Sequence, residues 1–201
     1  MVEPRDRLNV IIAIGGSGIR VVEAVVHLAA TGFFTTKDKL YILFVDPDIN
    51  NANLKRAFSV LQEYRNLRHK LNNKERLPIF AADIDFSKNV FNPLEGASRT
   101  LDDTFRLQRD DLSKSLAHSL YANEELTTNL DVGFRGRPSI GSAVFLRSVS
   151  TGEAKSEEWE TLKKKIKNHL NQSPRVILIG SVFGGTGASG LPRSRRYSFL
   201  S

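Results

Sequence analysis

The sequence predicts an α/β fold, a Rossmann-like and mostly parallel sheet flanked by helices, and three observations carry that expectation. Residues 9–14, 40–45 and 175–179 are short apolar runs, continuous rather than alternating, as in strands buried on both faces of a parallel sheet. Each run is followed by a turn-rich segment. Between them lie longer stretches whose apolar residues recur at helical spacing, the cover such a sheet requires.

In chain order, the first strand runs into Gly15, Gly16, Ser17 and Gly18, then a helix over about 18–30 with Ile19, Val22, Val26 and Ala29 on one side and Gly32 to stop it. After the second strand, Asp46 and Asp48 flank Pro47, either as turn residues or, in a dinucleotide fold, as ligands for ribose hydroxyls. A helix over 52–71 is amphipathic through Leu54, Ala57, Phe58, Leu61 and Tyr64. Residues 72–95, with Pro78 and Pro93, read as irregular or strand-containing. One helix is expected over 100–122, with Thr100 and Asp103 as a capping box and Leu101, Phe105, Leu112, Leu116 and Leu120 on one side. Residues 133–141 form a Gly/Pro loop. The last long helix, 156–170, sets Trp159, Leu162, Ile166 and Leu170 in one stripe, and its lysine run reads as a solvated helix end.

Composition narrows the function classes. The chain has 201 residues, 40% hydrophobic and 25% charged, which is ordinary usage for one globular domain. A chain of this length buries roughly 70% of the surface its unfolded form exposes, so it needs no disulfide or metal staple. It contains no cysteine, which excludes disulfide frameworks, thiolate nucleophiles and cysteine-held metal centres and agrees with a cytoplasmic location. No apolar run approaches the roughly 18 residues of a membrane helix, and the first nine residues lack the apolar region of a signal peptide. His27, His69, His118 and His169 have no metal-binding spacing, and the adjacent Asp102/Asp103 and Asp110/Asp111 pairs diverge on a helix, so neither is read as catalytic. The formal charge of +7 invites an anionic partner, but Arg193, Arg195 and Arg196 lie in the last eleven residues, and residues 1–190 carry only +4. The remaining excess is dispersed, which argues against nucleic acid.

Three glycine-rich segments are the candidate site. Strand, glycine turn and helix start is the arrangement in which unpaired backbone N–H groups and the positive end of a helix dipole meet a phosphate. A Cβ there would hold the ligand off and resist positive φ. Gly15, Gly16, Ser17 and Gly18 follow the first strand, and Gly184, Gly185 and Gly187 follow the third, where Thr186 and Ser189 add hydroxyl donors or a magnesium contact. Two such loops at the carboxyl ends of parallel strands face one crevice. The third segment holds Gly133, Gly136 and Gly141, with Arg135 and Arg137 as cations for a phosphate. The P-loop pattern G-x-x-x-x-G-K-[ST] is absent, and the dinucleotide fingerprint G-x-G-x-x-G is half present, with Val21 where its last glycine belongs.

Residues 183–190, Phe-Gly-Gly-Thr-Gly-Ala-Ser-Gly, resemble the signature G-G-G-T-G-[ST]-G of the tubulin/FtsZ superfamily, with Phe183 at the first glycine and Ala188 as an extra residue. Residues 15–18 resemble that family's first phosphate loop, 45–48 its segment after the second strand, and 133–141 its γ-phosphate loop, ending in Pro138-x-x-Gly141. The resemblance covers residues 9–190, with an insertion around 72–130, and implies an incomplete GTPase domain of a bacterial tubulin-like protein. It implies GTP or GDP as ligand, with or without magnesium, and head-to-tail assembly into a homopolymer, the catalytic acids coming from a later loop that this sequence lacks. Residues 191–201 are too basic and too poorly patterned for the helix after the signature, so they are expected to be a non-native or disordered tail of a truncated or frameshifted chain. Two other classes stay open: a dinucleotide-dependent oxidoreductase using the first glycine turn, and a non-catalytic structural or nucleic-acid-interacting protein using the basic tail.

Overall fold

The computed structural model describes residues 7–71, 78–94, 99–150 and 156–194. Four strands, β1 (Arg7–Ile14), β2 (Asp38–Val45), β3 (Asp83–Phe86) and β4 (Arg175–Gly180), form one sheet in the order β3-β2-β1-β4, and every pairing is parallel. Parallel neighbours need crossovers, and helices supply them. They are α1 (Gly15–Ala30), α2 (Ala52–Leu71), α3 (Leu101–Phe105), α4 (Asp111–Leu120), α5 (Asn123–Thr127), α6 (Pro138–Ser150), α7 (Glu157–Asn168) and α8 (Gly185–Ser194). The expected parallel α/β sheet is therefore present, with β3 as the strand inside the segment that had read as irregular or strand-containing.

Alternation along the central strands divides the core in two. Ile11 and Ala13 of β1 join Leu40, Ile42 and Phe44 of β2 under α1 and α2. Val10, Ile12 and Ile14 join Tyr41, Leu43 and Val45 under Leu101, Leu126, Phe145, Trp159 and Leu162, which come from α3, α5, α6 and α7. Gly32 stops α1 as expected. At φ +85 it lets the Gly32 N–H reach the Ala29 carbonyl and the Phe33 N–H reach the Leu28 carbonyl, both 3.2 Å, closing the helix end with two carbonyls satisfied. Asn51 caps α2 by accepting from the Leu54 N–H at 2.9 Å.

Three expectations are corrected. The single helix over 100–122 is broken. The Thr100 hydroxyl does accept from the Asp103 N–H at 3.1 Å, but α3 ends where Arg106 turns left-handed (φ 55), a 3-10 turn covers Leu107–Arg109, and Asp110 starts α4 by accepting from the Leu112 and Ser113 N–H groups. A short carboxylate competes for backbone donors and favours a helix start over a helix interior. Leu101 and Leu107 are then buried, while Leu112, Leu116 and Leu120 are 79%, 60% and 65% exposed. β4 is an edge strand rather than one buried on both faces, so Val176 and Ile177 keep much of their surface. The segment 191–194, assigned to the tail, continues α8, because Leu191 packs against the core; residues 195–201 lie outside the described residues.

Candidate functional site

Strand register assembles the site. Ile14 lies level with Val45 of β2 on one side and Gly180 of β4 on the other, so the chain leaves three adjacent strands at the same height. The first glycine segment leaves β1 and becomes the first turn of α1 at once, with Gly15 at φ +72. A Cβ on Gly15 would lie 3.2 Å from the Thr186 Cβ and 3.4 Å from the Gly187 nitrogen, so the first and last segments touch. The middle segment closes the ring: a Cβ on Gly133 would sit 3.8 Å from the Thr186 hydroxyl, and one on Gly185 would meet the Gly136 nitrogen at 2.9 Å. All three segments converge around Gly185 and Thr186.

Arg135 (φ 48) and Gly136 (φ 73) are successive left-handed residues, and the Arg137 N–H closes on the Phe134 carbonyl at 2.8 Å, a tight turn. Phe134, 1% exposed, anchors it against Phe145 in an edge contact at 6.0 Å. Pro138 then opens α6, which the sequence reading missed, although proline at a first helical position is its one local signal. α6 lies beside α8, with Gly190 against the Phe145 ring and Gly185 against Gly136, so both N-termini reach the same crevice as that of α1.

The electrostatics of these three ends differ from the rest. Helices α3, α4, α5 and α7 carry acidic residues in their first turns, and α2, which has none there, is capped by Asn51. Helices α1, α6 and α8 have no acid there, and Ile14 makes no side-chain cap for α1. A helix N-terminus leaves N–H groups without intrahelical partners and a partial positive charge of about half a unit. The crevice is a concave set of donors suited to an anion.

The candidate residues do not all point into it. Gly15, Gly16, Ser17, Gly133, Arg135, Gly136, Gly185 and Thr186 stand at or beside the convergence, and Gly184 and Gly136 have no atom within 4 Å of an added Cβ. Gly18 instead lets α1 press on the sheet, where a Cβ would collide with the Ile179 carbonyl, and Gly187 does the same against Ser181. Ser189 is fully buried, its hydroxyl turned to the Pro138 carbonyl at 3.1 Å and the Gly185 carbonyl, and Gly141 makes room for it. Arg137 is drawn toward α5, donating to the Thr128 hydroxyl at 3.2 Å beside Glu125. Phe183 is 95% exposed, so its side chain takes no space in the crevice.

Asp46 and Asp48 are turn residues. The buried Asp46 carboxylate accepts from the Asp48 N–H at 3.0 Å and from the Asn51 amide at 3.1 Å, while Asp48 accepts from the Asn50 N–H. Burial pushes the Asp46 carboxyl up to about 6, partly offset by the hydrogen bond from Asp48 and that from Asn51. The turn aims the start of α2 at the first glycine segment: the Asn53 amide nitrogen would be 3.2 Å from a Cβ on Gly16. Asn53 is thus a site residue that the sequence reading did not name, and its place just after the Asn51 cap was the available signal.

Comparison with models of known families, with curated proteins and with solved structures found no match. Among the described residues, no helix is long and apolar enough to cross a membrane, and no group of three histidine or acidic side chains is placed to hold a metal ion.

Proposed function

We propose that the converged glycine segments bind the phosphates of a nucleotide, GTP or GDP by the resemblance of their sequence, in a tubulin/FtsZ-like nucleotide-binding domain. The observation that carries the reading is the meeting of three helix N-termini free of acidic first turns. A simple dinucleotide turn uses one such end, so the extra two favour a longer run of phosphates. In this reading the amides of Gly15, Gly16 and Ser17 hold one phosphate and those of Gly185 and Thr186 another, with Arg135 and the Gly136 amide at the terminal one. The Thr186 hydroxyl donates to a phosphate or ligates its magnesium, while Asp48 and Asn53 flank the nucleoside. Head-to-tail assembly into a homopolymer belongs to the same reading.

Titration of the full chain with fluorescent GTP, using GDP and NAD as competitors, tests it. Saturable binding displaced by GDP is expected, with Thr186→Ala and Arg135→Ala each weakening it about tenfold, near 1.4 kcal/mol. Equal binding by wild type and both variants overturns the site. Displacement by NAD but not by GDP transfers the crevice to a dinucleotide.

A further inference from the structure

The free edge of β3 carries a second polar cavity, remote from the glycine crevice in residues and independent of the nucleotide reading. Asp85 is held from two helices, with Arg65 Nη2 of α2 at 2.7 Å from one carboxylate oxygen and Lys165 Nζ of α7 at 2.6 Å from the other. Both cations rest on rings: the Arg65 guanidinium is 4.5 Å from the Phe86 centroid, and the Lys165 ammonium is 4.9 Å from that of Tyr41. Lys165 therefore leaves the solvated lysine run in which the sequence reading placed it. One carboxylate shared by two fixed cations leaves this end net positive, with N–H donors unspent.

The opposite end is acidic. Glu158, Thr161 and Lys165 recur at i, i+3 and i+7 on one face of α7, and all three line the cavity. Glu157 and Glu158 thus stand about 12 and about 10 Å along the helix from Lys165. Burial, with the negative charges of Asp85 and Glu158 adding to it, pushes the Tyr41 phenol up to about 12. Ser87 forms part of the wall. It is 4% exposed, and its Oγ is buried with no hydrogen-bond partner within the described residues.

We propose that this cavity of about 340 Å³ between β3, α2 and α7 binds a small zwitterion, its carboxylate at Lys165 and Arg65 and its ammonium at Glu157 and Glu158. A simple anion engages only the cationic side chains of this lining, and a simple cation only the acidic ones. An ω-amino carboxylate separates its charges along a short carbon stem, and Thr161 lines the wall between the two ends.

The probe is 4-aminobutanoate, with butanoate and butylammonium as its single-charge halves, titrated into the isotopically labelled full chain and followed by amide NMR shifts. Millimolar 4-aminobutanoate is expected to move the amides of residues 85–89 and 157–165 and to leave those of Gly15 and Thr186 in place, with each half binding at least about tenfold more weakly. Lys165→Gln and Glu158→Gln are each expected to lower affinity about tenfold. Silence of those amides overturns the proposal. So does butanoate binding as well as 4-aminobutanoate, which marks a plain anion site, or unchanged affinity in both variants, which leaves the glutamates serving only the α7 dipole.

Discussion

The two faces of the sheet are covered in different ways. On one, α1 and α2, 16 and 20 residues long, lie over Ile11, Ala13, Ile42 and Phe44. On the other, helices of 5 to 13 residues contribute Leu101, Leu126, Phe145 and Trp159 to a core gathered from distant parts of the chain. A long helix on a sheet declares itself by periodicity. On the patched face α7 still shows its stripe, but α3 and α5, five residues each, are too short to show a period, so their order depends on the whole fold. The candidate site lies where the two constructions meet, α1 arriving from the first and α6 with α8 from the second.

The largest effect tests the junction. Gly18→Ala would drive a Cβ into the Ile179 carbonyl and force α1 off the sheet, an expected loss of roughly 4 kcal/mol or more in urea unfolding. Gly184→Ala, with nothing within 4 Å, is expected to change stability by less than about 0.5 kcal/mol. Similar losses in the two would show that Gly18 is not a packing glycine. Next, Trp159→Ala is expected to cost about 3–5 kcal/mol, as much as on a face of long helices, because Trp159 packs on Phe91 in the core although its helix has only 12 residues. A loss below about 1 kcal/mol would show the patched face to be weakly coupled to the sheet.

A third effect is set by pH. With the Asp46 carboxyl raised from 3.8 to about 6, the folded state holds its proton more tightly than the unfolded one. The contribution of this group to stability should be full below about pH 4 and be lost as pH rises through about 6, up to about 3 kcal/mol in all. Carboxyl NMR of Asp46 alongside unfolding at several pH values checks it, and a midpoint near the ordinary aspartate value would remove the effect. The smallest effect is on α4: Leu116→Ser should change stability by less than about 0.5 kcal/mol, since Leu116 is largely exposed. A loss of about 2 kcal/mol or more would restore the buried stripe that periodicity predicted.

Much of the fold was legible, and the failures have specific causes. Leu112, Leu116 and Leu120 have helical spacing, but spacing identifies a face without saying what covers it. Helix α6 carries a proline start and mixed apolar residues, Ile140, Val144 and Phe145, that only gain meaning beside Gly190 of α8. In the candidate site, the glycine segments were visible because positive φ and close approach leave glycine as the residue of choice. The division of labour within them was not visible: Gly18 and Gly187 serve packing, while Gly136 and Gly184 stay open.

By itself, then, the sequence determined three of the four strands, the two long helices and three glycine turns, since apolar runs, helical periods and glycines act within a few residues of themselves. Tertiary structure alone decided that Ile14, Val45 and Gly180 end level and bring the turns together. It turned Ser189 inward and Arg137 toward Thr128, and it drew Lys165 out of a lysine run onto Asp85. These outcomes depend on register and helix packing between residues far apart in the chain, and no local pattern encodes them.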